Sequence, residues 1–410
     1  MLNLETMLEP CNLNPKSLPN EALFDINYYV LADFSEVDEE VIHHFKKHDA
    51  DFYPCISSRS SIIDYIRSVF DIDGRLIICS VSSKIVAIMG IGLNHPTWKF
   101  YYQYISIDAS YRRKGIADTL LEKAIEIFLD HGATRIIART WSSNKTSQQH
   151  FRKHQFIHFD TIMDDRSKGI HSNYFTKVLS PLRLEKPLTF LGLIGGMGTF
   201  ATGNFIKTLS AIPRYIAKEQ HLMPFLVVND PSIPDRTEYI YQDRVGDVVS
   251  KVNESINRAD QRQLSHLVIL CFTFHPFINQ LRVRKEIEII NLIDTCARLM
   301  PGSAQRCMLI ATKGAYRLNT FGSLAVQIPG DDQQERIHNI ILEIKSGACP
   351  PHFKNEIIAL AKNNACNSII LGCTDLHGMF GFNQQYEDVT IFDPLLELAL
   401  HLETIRVKNK

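Results

Sequence analysis

Leu267-Val268-Ile269-Leu270-Cys271 and Ser368-Ile369-Ile370-Leu371-Gly372-Cys373 decide how this chain folds. Each is a short apolar run of the kind that forms a strand buried on both faces of a parallel sheet, and each ends on a cysteine. A histidine stands four residues beyond each thiol, at His275 and His377. The cysteines lie roughly 100 residues apart, about the length of one α/β half-domain. Ligands of such sheets bind beyond the carboxyl ends of the strands. Two thiols there, one from each half of a duplicated unit, suit a cleft with a sulfur on either wall. That geometry takes a proton from one face of a carbon and returns it to the other.

Working outward, the second part of the chain alternates strand and helix. Strands are expected at Thr189–Ile194, Phe225–Val228, His266–Leu270, Cys307–Ile310, Ser368–Leu371 and Val389–Phe392, with helices between them, as in βαβ units. The first part reads as mixed α/β. Leu76–Ser80 and Lys84–Leu93 should pair across Ser82-Ser83. Lys99–Asp108 and Thr134–Thr140 read as strands, and Ile116–Asp130 and Asn144–His154 as helices. Ser180-Pro-Leu-Arg-Leu-Glu-Lys-Pro187 brackets a polar stretch with two prolines and is the expected boundary. It divides the chain into a domain over 1–182, a linker at 183–187 and a domain over 188–410.

Composition excludes several classes. The 410 residues are 45% apolar and 22% charged, and 44 Lys plus Arg nearly cancel 45 Asp plus Glu. No global field therefore favours nucleic acid or an anionic membrane. No run of 18 apolar residues occurs, which excludes an ordinary membrane span. Met1–Asn20 lacks the cationic and apolar regions of a signal peptide. Nine scattered cysteines suit reduced thiols in a cytoplasmic protein better than a disulfide framework.

Tyr111-Arg112-Arg113-Lys114-Gly115-Ile116-Ala117 joins a strand to a helix. A turn opening a helix offers unpaired N–H groups and a positive dipole end. Gly115 lets a phosphate approach the main chain, and three adjacent cations add to the field. A solvated basic turn is the plainer alternative. The stretch resembles the acetyl-CoA motif of the GNAT acetyltransferases, Arg/Gln-x-x-Gly-x-Gly/Ala, filled by Arg112, Gly115 and Ala117. Asn144 to Phe156 is similar to that family's next motif, although Phe151 stands where a tyrosine usually protonates the departing thiolate and Gln155 replaces a glycine. The resemblance implies acetyl-CoA as cofactor, with Arg112, Arg113, Lys114, Gly115, Ile116, Ala117 and Asn144 binding it, and acetyl transfer to an amine.

For the cysteine pair, inversion at an α-carbon needs a base on one face and an acid on the other. A free thiol with a pKa of about 8.5 is mostly protonated near neutrality. Helix N-termini after each strand should lower that value. Two facing thiols disfavour double ionisation, so one thiolate and one thiol form the productive state. Buried cysteines also pack as small hydrophobes, the reading adopted for Cys296, Cys307, Cys349 and Cys366. Metal binding by the two Cys/His sets is a further alternative, disfavoured by their wide spacing. The histidines are read as packing or orienting groups.

Leu191-Gly-Leu-Ile-Gly195-Gly196-Met197-Gly198, Asn229-Asp-Pro-Ser-Ile-Pro234-Asp235-Arg236 and Leu371-Gly-Cys373-Thr374-Asp375 resemble, in order, motifs of the aspartate/glutamate racemases that work without pyridoxal phosphate. The resemblance implies Cys271 and Cys373 as the acid/base pair, with no cofactor and no metal. It places Arg236 on the side-chain carboxylate and Lys345 as a second basic group. Thr273 and Thr374 would hold the α-carboxylate, and Met197 and Asp375 complete the substrate site. Phe272 replaces the usual asparagine, Thr199 a proline and Asp375 a glutamate.

The expected architecture is therefore α/β: a mixed-sheet GNAT-like domain, then a duplicated, pseudo-symmetric parallel α/β racemase domain with its active site between the halves. The expected activity is bifunctional, racemising aspartate or glutamate and acetylating an amine. A relative acting on another carboxylate, and a ligand-binding regulator with one or both sites inactive, stay open. The expected partner is a small amino-acid substrate, not nucleic acid or membrane, and a homodimer is left open.

Overall fold

A computed structural model describes residues 26–96, 98–212, 222–300, 306–347, 351–382 and 385–408. Cys11 and Cys349, and the start read for a signal peptide, lie outside them.

The first sheet has seven strands: β1 (Ile26–Leu31), β2 (Arg75–Val81), β3 (Lys84–His95), β4 (Lys99–Ile107), β5 (Arg135–Trp141), β6 (Ile157–Ser167) and β7 (Ile170–Val178). Their order is β1-β2-β3-β4-β5-β7-β6. Pairing is antiparallel except between β4 and β5, which run parallel. Ser82 and Ser83 both take positive φ (49° and 62°), the backbone of a tight two-residue hairpin, as the turn reading expected. Four helices flank the sheet: α1 (Glu39–Lys47), α2 (Ile62–Phe70), α3 (Ile116–Asp130) and α4 (Lys145–Lys153). Ile116, Leu120, Leu121, Ala124 and Phe128 of α3 are buried at helical spacing, which seats it on the sheet.

The second part holds two further sheets. β8 (Leu191–Gly195), β9 (Phe225–Asn229), β10 (His266–Ile269) and β11 (Glu288–Ile289) lie in the order β11-β10-β8-β9, all parallel. β12 (Cys307–Ile310), β13 (Val326–Gln327), β14 (Ser368–Leu371), β15 (Gln385–Tyr386) and β16 (Val389–Phe392) lie in the order β13-β12-β14-β16-β15, parallel but for β15. The helices of this part are α5 (Thr199–Ala211), α6 (Arg236–Tyr241), α7 (Val245–Arg258), α8 (Leu292–Leu299), α9 (Lys313–Arg317), α10 (Asp331–Lys345), α11 (His352–Asn363) and α12 (Pro394–Lys408). All four residues of β10, β12 and β14 are buried, as continuous apolar runs require when both faces are covered.

Helix α12 and β7 bring the two parts into contact. Arg135 Nε donates to Glu397 Oε1 at 2.7 Å with both side chains buried, and Phe159 and Phe382 stack at 4.8 Å. The stretch expected to be a linker is anchored. The amides of Glu185 and Lys186 donate to Glu288, and the amide of Leu182 donates to His401 Nδ1 at 2.9 Å. Burial and neighbouring Arg135 push His401 down to about 3, so it serves as a neutral acceptor.

Candidate active site

One pocket is lined by Met197, Arg236, Cys271, Phe272, Thr273, Thr312, Lys345, Cys373, Thr374 and Asp375. Met197, Arg236 and Cys271–Thr273 follow the carboxyl ends of β8, β9 and β10. Thr312 and Cys373–Asp375 follow β12 and β14, and Lys345 closes α10. The two sheets thus supply the walls from equivalent strand ends.

The turn after β8 is shaped by its glycines. Gly196 has φ +90°, and a Cβ there would fall within 2.2 Å of the Asp230 backbone. A Cβ on Gly198 would sit 2.6 Å from Asp375 Oδ1, so this turn forms the surface against which that carboxylate packs. Arg236 opens α6, is 8% exposed, and donates to the carbonyls of Met197 and of Pro234 (3.0 Å). Its Nε has no partner among the described residues. Lys345 Nζ lies 3.9 Å from Asp375 and 3.8 Å from Asp235. Asp375 Oδ1 is buried without a hydrogen bond among the described residues, and burial pushes its carboxyl upward. A buried guanidinium Nε and a buried carboxylate oxygen, both unpaired, are costly unless a ligand meets them.

Cys271 and Cys373 are 5% and 7% exposed. The thiol of Cys373 is pushed well up, first by burial and then by Asp375, whose Oδ2 lies 3.6 Å from Sγ; Lys345 acts the other way and Cys271 adds to the rise. Helix N-termini were expected to lower the thiols. For Cys373 that expectation fails: the element after it is a single 3-10 turn, Thr374–Leu376, and burial beside a carboxylate outweighs it. Thr273 and Thr312 hydroxyls share a hydrogen bond of 2.9 Å, and Thr312 also caps α9 by accepting from the Ala315 amide. Thr312 escaped the sequence reading. Its signal is the one that marked Cys271 and Cys373: a polar residue just past a buried strand.

The histidines have structural partners. His275 Nδ1 lies 2.7 Å from the Cys271 carbonyl, and burial pushes the ring down to about 4. His377 sits between Thr208 (2.8 Å) and Asp393 (2.9 Å). Among the described residues the Cys/His sets do not converge as metal ligands. The convergent groups are His44, His48 and Asp108, and Asp118, His150 and His154. Each is already occupied by a lysine, Lys47 on Asp108 at 2.6 Å and Lys153 on Asp118. Phe272 is buried and packs on Phe321 at 5.4 Å, so this pocket wall is aromatic where an amide was usual.

In the first part, Arg112 to Gly115 are exposed at the start of α3. Gly115 has φ +84°, and a Cβ built on it meets nothing within 4 Å, so backbone and open space coincide there. Intrahelical bonding begins with the Asp118 and Thr119 amides, both donating to Gly115 O, which leaves the amides of Gly115, Ile116 and Ala117 ahead of the first intrahelical bond. Arg112 is tied to the Ile107 carbonyl (2.9 Å) and Asp51 (2.8 Å). Asn144 caps α4, its Oδ1 accepting from the Ser147 amide at 3.0 Å. Phe151, a ring with no proton to give, is 2% exposed and packs tilted against Phe156 and Phe175 and edge-to-face with Tyr102.

The second part is thus an α/β domain with a two-thiol pocket at the strand ends, between a parallel four-stranded sheet and a five-stranded sheet parallel but for β15; a seven-stranded mixed sheet with a glycine turn precedes it. The Asp/Glu/Hydantoin racemase family model matches residues 194–402, and the chain belongs to that family. The Acetyltransferase (GNAT) family model matches residues 42–156. Among solved structures, the chain is similar to the aspartate racemase of Picrophilus torridus, with 20% identity over 53% of this chain and 94% of that one, TM-score 0.46. An aspartate racemase homologue from Pyrococcus horikoshii OT3 matches at 16% identity over 54% and 100%, TM-score 0.41. An N-acetyltransferase from Staphylococcus aureus Mu50 matches at 18% over 38% and 99%, TM-score 0.32. Among the described residues no helix is long and apolar enough to cross a membrane.

Proposed function

We propose that the second part racemises an acidic amino acid, aspartate or glutamate, by two-thiol acid/base chemistry, and that the first part transfers acetyl from acetyl-CoA to an amine. The carrying observation is one pocket that holds both strand-end thiols together with an unpaired Arg236 Nε and an unpaired Asp375 oxygen. Arg236, with Lys345, takes the side-chain carboxylate, since arginine's planar fork suits it. Thr273, Thr374 and the Thr312 beside them take the α-carboxylate. Asp375 Oδ1 receives the substrate ammonium.

With no ligand, burial and Asp375 keep Cys373 a thiol. An ammonium on Asp375 offsets that negative charge and lowers the Cys373 pKa, so binding primes the proton transfer. One sulfur removes the α-proton as thiolate while the other donates from the opposite face, and the protonation states exchange at each turnover. These two thiols cover both proton transfers, so no pyridoxal phosphate is invoked.

For the first part, the open Gly115 and the free amides of Gly115–Ala117 fit a pyrophosphate, with Arg113 and Lys114 beside it. Acetyl-CoA supplies an activated thioester when bound. Asn144 belongs to this site as the cap that fixes the start of α4.

Incubation with L-aspartate or L-glutamate in D2O tests the racemase reading. Exchange of the α-proton, lost in both Cys271→Ser and Cys373→Ser, supports it. Tight binding without exchange supports the ligand-binding regulator instead. Phe272 favours a second reading within enzymes, a racemase relative for another carboxylate, because its ring, packed on Phe321, stands where the family this chain resembles has an asparagine. Exchange of a less polar acid in preference to both dicarboxylates identifies that case. Cytoplasmic residence and a homodimeric assembly belong to the same proposal.

A further inference from the structure

The face of the first sheet opposite α3 carries a charge pattern distinct from the glycine turn and from the two-thiol pocket. β4 and β5 pair only at Tyr101–Ile137 and Tyr102–Ala138. In the register with β3, Ile91 faces Tyr102 and Gly90 faces Tyr104, so Gln103 is an extra residue. Such a bulge re-aims the side chains that follow it. Tyr104 packs on Phe45 (5.3 Å) and Tyr65 (5.7 Å), whereas Tyr102 meets Phe151 on the α3 side at 5.5 Å. Past the paired residues the two strands separate, and three arginines gather beside the opening.

Arg59 lies over the Tyr65 ring at 5.4 Å, Arg139 over Tyr174 at 5.9 Å and Arg166 over Trp141 at 5.6 Å. Arg139 Nη1 donates to the Tyr174 hydroxyl at 3.4 Å, and Arg166 Nε to Ser172 Oγ at 3.1 Å. Arg139 and Trp141 lie two residues apart on β5, opposite Tyr174 and Ser172 of β7, so Arg139 and Arg166 share one patch of the sheet; Arg59 joins them through the Tyr65 ring, on whose hydroxyl all three cations act. Among the described residues none makes a carboxylate ion pair within 4.0 Å, although Asp165 adds negative charge nearby. Burial and then Arg139 push Arg166 below its usual value, while Arg139 is held above its own, first by Tyr101 and also by Tyr174 and Asp165. Arg166 Nη1 also donates to the Tyr53 carbonyl, and Asp49 lies within electrostatic reach of Arg59. Arg59 and Arg139 are exposed, so the cluster opens to solvent.

We infer that Arg59, Arg139 and Arg166 bind a carboxylate of the acetyl acceptor, so that the acceptor is an anionic primary amine, such as a free acidic amino acid. This rests on the acetyl-transfer reading of the first part. Guanidinium forks held by aromatic faces match carboxylates in geometry and charge. The same cluster repels a polyamine or a lysine side chain, which gives selectivity by exclusion. In the transfer, the ammonium first loses one proton to solvent; the amine nitrogen then forms a bond to the acetyl carbon as the thioester C–S bond breaks. The second nitrogen proton passes through solvent to the departing thiolate, which leaves as the thiol. An acidic amino acid is also the substrate class proposed for the second part, so both sites would draw on one pool.

The test uses the full chain with acetyl-CoA, reading thiol release with aspartate and glutamate of both hands, an acidic tripeptide, glycinamide and spermidine. The expected result is a kcat/KM at least tenfold higher for dicarboxylic amines than for glycinamide, with spermidine inactive. Arg139→Gln and Arg166→Gln should each raise KM for the acidic amine about ten- to a hundredfold, with acetyl-CoA affinity unchanged and Arg139→Lys recovering part. Both tryptophans, Trp98 and Trp141, lie in the first part. Intrinsic fluorescence therefore reads amine binding there, and its response should vanish in the glutamine variants. Activity on the tripeptide alone still supports carboxylate recognition but moves its source to a chain terminus. Preference for spermidine, indifference to charge, or an unchanged KM in both variants overturns the inference and leaves acetyl transfer standing. Failure to bind acetyl-CoA by calorimetry removes the transfer reading and the inference together.

Discussion

The two candidate sites are built on opposite electrostatic plans. The pocket between the two parallel sheets buries its charges: Arg236 and Asp375 are 8% and 3% exposed, and each keeps one polar atom unpaired. The turn before α3 exposes Arg113, Lys114 and Gly115, and presents backbone N–H groups. In the first plan a single charge acts through a low-dielectric medium and a change is felt strongly; in the second, water and salt dilute it. The difference predicts an ordering of mutational effects.

The largest effect belongs to the thiols. Cys271→Ser and Cys373→Ser should each reduce α-proton exchange by about 10²–10⁴-fold, the span of a lost acid/base group. Exchange that survives either change would remove the two-thiol chemistry from the pocket. Next comes Arg236→Gln, expected to raise KM for a dicarboxylate about ten- to a hundredfold, the range of a charge-assisted hydrogen bond. A change that small for Cys373→Ser and that large for Arg113→Gln would invert the comparison.

Asp375 tests the pocket more finely. Its charge raises the Cys373 pKa, so Asp375→Asn should lower that value. Alkylation of Cys373 by iodoacetamide should then reach half-rate about one pH unit lower, with about tenfold faster reaction at a fixed pH below the midpoint. KM for the amino acid should rise at the same time, because the ammonium loses its anion. An alkylation profile moving to higher pH would reverse the sign argued for this carboxylate.

Much of this was legible in the chain because the same physics writes both pattern and fold. β12, β14, β16 and α3 span the ranges expected of them, since apolar runs buried on both faces and a helical stripe leave little freedom. β1, α1, α2 and β6 were not anticipated. Ile26–Leu31 is an edge strand with several exposed residues, and residues 160 and 162–165 of β6 are exposed, so burial does not imprint a period on them. The residues of the pocket other than Thr312 were singled out through motifs, but their electrostatics were not. Cys271 and Cys373 follow the same pattern of strand, thiol, hydroxyl two residues or one residue on, and histidine. Only the structure shows Asp375 against one of the sulfurs. A pattern along the chain places residues at strand ends; it does not say that burial and a carboxylate two residues on outweigh the turn beyond the thiol, or that Lys345 opposes them from α10.

The smallest predicted effect lies on the exposed turn. Arg113→Gln and Lys114→Gln should each weaken acetyl-CoA binding about two- to threefold at low salt, the usual scale for exposed ion pairs. Both side chains stand in solvent, and in the proposed binding mode the phosphate is held first by the Gly115–Ala117 amides, which the substitutions leave intact. Raising the ionic strength to about 1 M, where the screening length is near 3 Å, should bring the variants and the unmodified chain together. Calorimetry at two salt concentrations reads this directly. A loss above about tenfold that survives high salt would mean that these side chains form direct, desolvated bonds. The turn would then follow the same buried-charge plan as the pocket of the second part.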